Sequence, residues 1–254
     1  MPGIDKGNYG SNRQLAWAET QAATRFAFQA FVKYVNVLLG IDSILYPSRI
    51  WGWPGGRGEQ TRRDGRSASM ANSFNVRKAA QVVAYFAKAE GGSINVLKLI
   101  KIIYLADRKF MEKYDATILN DRFVSMEYGP VNSMTLNYIN GCLEDRENWK
   151  AFVSDRAVHH IGLTNPDISD EDFDELSDAE VEVLAEIWGE FGSLSQYQLR
   201  DYTHQNCLEW EDPNGSSNPI PYERVFKFLG KKDSLGLAKK IESEKTLDSL
   251  FAAE

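Results

Sequence analysis

A chain of 254 residues, 43% hydrophobic and 26% charged, is long enough to bury a core without disulfides or a structural metal, as a globular domain with or without an appendage does. Its net charge of −7 is uneven: residues 1–70 carry nine Lys/Arg against five Asp/Glu, a surplus of four, so the remainder carries −11 and disfavours a nonspecific binder of phosphate backbones. No run reaches the roughly 18 apolar residues of a membrane span, no secretory signal is expected from the first residues, and two cysteines, Cys142 and Cys207, fit free thiols in a reducing cytoplasm better than a disulfide framework.

Residues 1–12 read as a polar tail, and residues 13–39 as a helix with Phe28, Phe31, Val35 and Leu38 at spacings of three and four. Residues 47–69, rich in Pro, Gly, Ser and Arg, read as a linker; its Trp51 and Trp53 either meet a partner or dock on the chain itself. Residues 1–69 thus form an N-terminal extension. Met70 opens a stretch that looks like the beginning of a domain and is a candidate translation start, which would leave the extension dispensable. Ser73 or Asn75 caps a helix through Ala89 whose face is Val76, Ala79, Ala80, Val83 and Phe86, and Gly91-Gly92 ends it. Ser93 or Asn95 opens the next helix, through about Tyr114, with Val96, Leu99, Ile100, Ile103, Tyr104 and Ala106 as its apolar face. Its Leu and Ile content makes it the expected centre of the fold.

Residues 117–131 alternate as a strand, Phe123, Ser125 and Glu127 against Val124, Met126 and Tyr128, before the Gly129-Pro130 turn into a helix at Asn132 or Ser133. Residues 151–163 read as a second strand, which predicts one small sheet of two or three strands, and residues 164–175 as an acidic loop. Ser177 with Glu180 is a capping box for a helix buried through Leu184, Ile187, Trp188 and Phe191; Ser195 caps another. Residues 211–221 read as a loop, followed by a short helix and then a helical tail over 231–254. The expected fold is mainly α with a small antiparallel β-sheet: a compact helical domain over 70–230 with a helical N-terminal extension.

Several residues suggest chemistry. Lys98 and Lys101, three apart on the central helix, form either a partner surface or a solvated face. Tyr104 and Asp107 are spaced to hydrogen-bond a turn such as Gly129-Pro130. His159 and His160 point to opposite sides of a strand, so they make a poor metal pair. Asp201, His204 and Cys207 step by three and can share a helix face, which suggests a small hydrolase using His204 and Cys207. A nucleophile also needs an oxyanion hole and usually a base from another element, so the competing reading is that His204 fixes the loop to Trp210. No metal and no cofactor is expected.

Three groups of residues, in this order and spacing, resemble the Panacea domain, the SocA-like family of bacterial and phage antitoxins. They are Leu97-Lys98-Leu99 with Lys101 and Tyr104-Leu105-Ala106-Asp107; Tyr128-Gly129-Pro130-Val131; and Leu176-Ser177, Leu194-Ser195, Leu199, Thr203-His204 and Trp210. The resemblance runs over roughly residues 75–230 and leaves residues 1–69 outside it. The family often has proline before that tryptophan; here Glu209 stands there. It also often has leucine where this chain has Ile102-Ile103. The resemblance implies a mostly helical, non-enzymatic, cytoplasmic antitoxin of a type II toxin–antitoxin system, which binds its cognate toxin directly. It also leaves open an adaptor that delivers the toxin to an ATP-dependent protease. Lys98, Lys101, Tyr104, Asp107, Tyr128, Gly129, Pro130, Val131, Thr203, His204 and Trp210 are its motif residues, structural or partner-binding. A DNA-binding regulator is disfavoured by the acidic charge and by the lack of a recognisable helix-turn-helix.

Overall fold

Burial is concentrated on one long helix against which most other elements pack. The computed structural model describes residues 74–141 and 145–251, all within the compact unit Arg63–Glu254. The expectations for the N-terminal helix, the linker with Trp51 and Trp53, the start at Met70, the Ser73 cap and Cys142 lie outside the described residues.

Helix α1 (Val76–Ala89) begins where the Asn75 side chain accepts from Lys78 N at 2.9 Å, so of the two candidate caps Asn75 acts. Ala79, Ala80, Val83 and Phe86 are buried on the expected face. The chain leaves it through Gly91 and Gly92, both at positive φ. Strand β1 (Ser93–Asn95) follows at once, then α2 (Val96–Tyr114), capped by Asn95 through Leu97 N and Lys98 N. Helix α2 is buried well beyond one apolar stripe.

Strands β2 (Phe123–Met126) and β3 (Gly129–Asn132) form an antiparallel hairpin, with Met126 opposite Gly129 and Phe123 opposite Asn132. The expected alternation holds in β2, where Phe123 and Ser125 are buried. Gly129-Pro130, expected as a turn from strand to helix, instead opens β3; the two-residue turn is Glu127-Tyr128. Pro130 is tolerated because β3 is an edge strand, where a missing N–H breaks no ladder.

Helix α3 (Ser133–Ile139) follows directly, and α4 (Arg146–Lys150) is a single turn capped by Asp145. Two strand expectations are corrected. Within residues 151–163 only β4 (His160–Gly162) is a regular strand, and it joins β1 in a separate two-stranded ribbon. The loop read over residues 211–221 contains β5 (Asn218–Ile220), which completes a three-stranded sheet of order β3-β2-β5. Three-residue strands carry no periodic signal, and their pairing is settled by distant backbone.

Helices α5 (Asp178–Phe191) and α6 (Gln196–Asn206) both start with capping boxes, Ser177 with Glu180 and Ser195 with Gln198. Both pack on α2, as does β3. The acidic loop docks on α1: Asp174 accepts from Arg77 and Gln81, and Asp170 pairs with Lys88 at 2.8 Å. Helix α7 (Tyr222–Phe228) packs on α8 (Ser234–Phe251), which buries Ile241. The fold is mainly α with small antiparallel sheets.

Candidate functional site

Helix periodicity places Lys101, Tyr104 and Arg108 on one side of α2, facing the β2–β3 hairpin and the end of α6. Lys101 Nζ donates to Pro130 O at 2.8 Å. Tyr104 Oη donates to Glu209 Oε1 at 2.7 Å, and Arg108 Nε donates to the same oxygen at 2.7 Å. Glu209, between two motif residues, is 0% exposed. A carboxylate there is stable only because it is paired with the guanidinium and bonded to the phenol.

The two motif lysines do not form a solvated face. Lys98 is 6% exposed and Lys101 0%. Lys98, one turn before Lys101, reaches instead toward the ends of two helices, where its ammonium meets Glu90 Oε2 at 2.5 Å and Gly192 O at 2.7 Å, over the Trp188 ring. It ties the ends of α1 and α5 to α2. Lys101 is desolvated, which pushes its amine down to about 7.

Tyr104 and Asp107 do not bond the Gly129-Pro130 backbone; Lys101, with the longer reach, does. Asp107 instead accepts from Ile118 N at 2.6 Å, Leu119 N at 3.3 Å and Asn132 Nδ2 at 2.5 Å. Burial pushes its carboxyl up to about 7, against the hydrogen bonds that favour the charged form. Burial, reinforced by the negative charge of Glu209, holds the Tyr104 phenol well above its ordinary value.

The third motif closes the junction. The His204 and Trp210 rings stack at 4.1 Å with an 8° tilt, and Trp210 Nε1 donates to Met126 O at 2.9 Å. His204 thus fixes the loop to Trp210, as the competing reading of this histidine expects. Thr203 Oγ1 donates to Arg200 O, and Val131 is buried opposite Val124. Tyr128, in the hairpin turn, is half-buried. Gly129, at φ +100°, is so closely approached that a Cβ would lie 2.8 Å from Thr203 Oγ1, 3.0 Å from Lys101 Nζ and 3.1 Å from His204 Cδ2. Motifs separated by up to about a hundred residues therefore meet at one point.

The shared face of Asp201, His204 and Cys207 is not formed. Helix α6 ends at Asn206, and Cys207 leaves the helical conformation at φ −99° and ψ 79°, so the step of three stops before it. Asp201 is exposed and bonds Arg200, whereas Cys207 is 1% exposed. Burial pushes the Cys207 thiol up to about 12, with Glu209 adding to the rise, so it carries no reactive thiolate near neutrality. Burial and the nearby positive charges of Lys101 and Arg200 hold His204 below the usual histidine range. His159 and His160 are both exposed, and among the described residues no group of three His, Cys, Asp or Glu is placed to hold a metal.

Sequence reasoning missed Glu209 and Arg108 as partners of Tyr104. The available signal was an acidic residue at a position where the resembled family often has proline. It also missed Asp121, whose buried carboxylate receives Arg122 N, Met134 N, Thr135 N and Thr135 Oγ1. Among the described residues no helix is long and apolar enough to cross a membrane.

Residues 99–211 match the family model described as "Antitoxin SocA-like, Panacea domain". The matched segment contains α2 from its first turn, the hairpin and α6 through Trp210, the elements that build the junction; Lys98 lies just before it. No curated protein and no solved structure matches the chain.

Proposed function

We propose that this chain, whose residues 99–211 match the model of the SocA-like Panacea domain, is a cytoplasmic antitoxin that neutralises a cognate toxin by binding it directly. The observation that carries this reading, beside the family match, is how the motif residues are used. Lys101, Tyr104, Gly129, Thr203, His204 and Trp210 are engaged in holding α2, the hairpin and α6 together, and the one cysteine of the cluster is buried. Such a junction supports a rigid docking surface rather than bond chemistry, and rigidity lowers the entropic cost of association. The acidic charge of the chain beyond residue 70 suits a basic toxin.

Contact is proposed on exposed apolar residues of α6 and of the turn that follows it, Tyr197 at 58% and Leu208 at 60% exposure. Leu208 is held between the buried Cys207 and Glu209, so it is presented without freedom to fold away. Co-expression with the product of the adjacent reading frame tests the function: toxicity of that product alone, rescue of growth and a co-purifying complex are expected. Absence of rescue and of a complex sinks the antitoxin reading. Rescue that disappears in a host lacking an ATP-dependent protease would replace blocking with delivery for degradation. With a complex in hand, Leu208→Asp is expected to weaken it at least about tenfold with an unchanged melting temperature. Undiminished binding would move the contact elsewhere.

A further inference from the structure

The turn that leads into β4 holds an apolar side chain in water at a cost to its own backbone. Val158 has φ +55°, a left-handed conformation that β-branched residues rarely adopt. It is also 74% exposed, the most exposed large apolar residue among those described. A single exposed apolar residue is ordinary, but here the backbone strain is added and no burial of the side chain offsets it.

The surrounding hydrogen bonds impose that conformation. Ala157 N donates to His160 O at 2.8 Å and His160 N to Ala157 O at 3.0 Å, which closes a two-residue turn over Val158 and His159. Glycine or asparagine ordinarily takes the positive-φ position of such a turn. Arg156 Nε donates to Val158 O at 2.8 Å, and its Nη1 donates to Asn140 Oδ1. Val96 N donates to His159 O at 2.8 Å, which ties the turn to the start of α2. The valine is therefore presented on a pinned turn and cannot fold away.

We propose that Val158 is a docking knob that enters an apolar pocket on the cognate toxin. This rests on the antitoxin reading and adds a contact to it. The pocket rim is expected to carry hydrogen-bond acceptors, carboxylates or carbonyl groups, because the groups around the tip are donors: the Arg156 guanidinium and the exposed imidazoles of His159 and His160. Residues 156–163 contain no Asp or Glu, and Asp155 is already paired with Lys150 at 2.8 Å. A rigid tip loses little conformational freedom on docking, and its strain is already offset within the folded chain. The turn is also placed to act together with α6. His160 and Gln196 line one cleft of about 400 Å³, so the end of the β1–β4 ribbon and the start of α6, where Tyr197 is exposed, border the same opening.

Calorimetric titration of the full chain with the toxin, beside urea unfolding of the chain alone, tests the knob. Val158→Asn removes the apolar tip and places at φ +55° a residue that tolerates it. It is expected to bind about tenfold more weakly while its unfolding constant falls about threefold, so that affinity and stability move in opposite directions. A merely structural residue would move both the same way. Val158→Gly, unstrained at the same φ, is expected to bind as weakly as Val158→Asn. Variants that bind like the wild type would overturn the knob and leave the antitoxin reading in place. A wild-type chain that forms no complex removes that reading, and the knob with it. A loss of stability in Val158→Asn would overturn the strain on which the knob rests. Sedimentation of the chain alone covers a different occupant: a wild-type dimer that Val158→Asn dissolves would assign the tip to a second copy and overturn the toxin pocket.

Discussion

Gly129 shows how a single residue can be required twice. Its φ of +100° is a conformation that side-chain-bearing residues rarely adopt, and the space a Cβ would take is held by Thr203, Lys101 and His204. Backbone strain and overpacking therefore add. Gly129→Ala is expected to cost roughly 2–4 kcal/mol, read as a fall in thermal or urea stability. Gly91 separates the two effects, because it has φ +96° with nothing within 4 Å of its would-be Cβ. Gly91→Ala is expected to cost about 1 kcal/mol, from strain alone. Equal losses at both positions would mean that the close approach at Gly129 contributes nothing. At this scale the sequence marks Gly129 as a special position through its following proline. It does not mark the reason, since Thr203 and His204 come from another helix. The lysines are the opposite case. On a helix Lys98 and Lys101 resemble a solvated pair, and only the packing of α5, α6 and the hairpin around α2 takes both out of water.

The helices were legible as elements because their starts are written locally. Asn75, Asn95, Ser177 and Ser195 each place a side-chain acceptor over the first free amides, and in the last two a Glu or Gln three residues on completes the box. Asn95 is the most informative of the four, because it caps the helix on which the others pack. Asn95→Ala is expected to cost about 1 kcal/mol in urea unfolding. A neutral outcome would show that packing alone sets where α2 begins. The hairpin was half legible: the alternation from Phe123 to Met126 is local, but whether Gly129-Pro130 turned the chain or opened a strand depended on pairing. Strands β1, β4 and β5 were not legible as a set. Each has three residues, and β1 finds its partner across almost seventy residues, with Ser93 opposite Gly162. The acidic loop was recognised as acidic but not as docked, since its partners Arg77, Gln81 and Lys88 all lie on α1.

Among the described residues the buried polar groups around α2 gather at one junction. Cys207 illustrates it: 1% exposed, it sits among Lys101, Arg108 and Glu209, yet burial raises its thiol to about 12. Alkylation resolved by residue in a mass spectrometer is expected to leave Cys207 unmodified at pH 8 in native buffer and to modify it in denaturant. Rapid native labelling would reopen the nucleophile reading that the geometry disfavours.

The sequence by itself determined the fold class, the presence of the long helices with a short choice of caps for each, and the family resemblance, because amphipathic period, caps and short motifs are properties of neighbouring residues. The tertiary structure alone decided that Lys98, Lys101, Asp107 and Glu209 are interior, that Lys101 rather than Tyr104 holds the Gly129-Pro130 strand, and that Cys207 is buried. Each of these depends on desolvation and on partners supplied by other elements. A group's charge and reactivity are set by what surrounds it in space, and for the junction around α2 those surroundings come from the hairpin, α6 and the turn to Trp210.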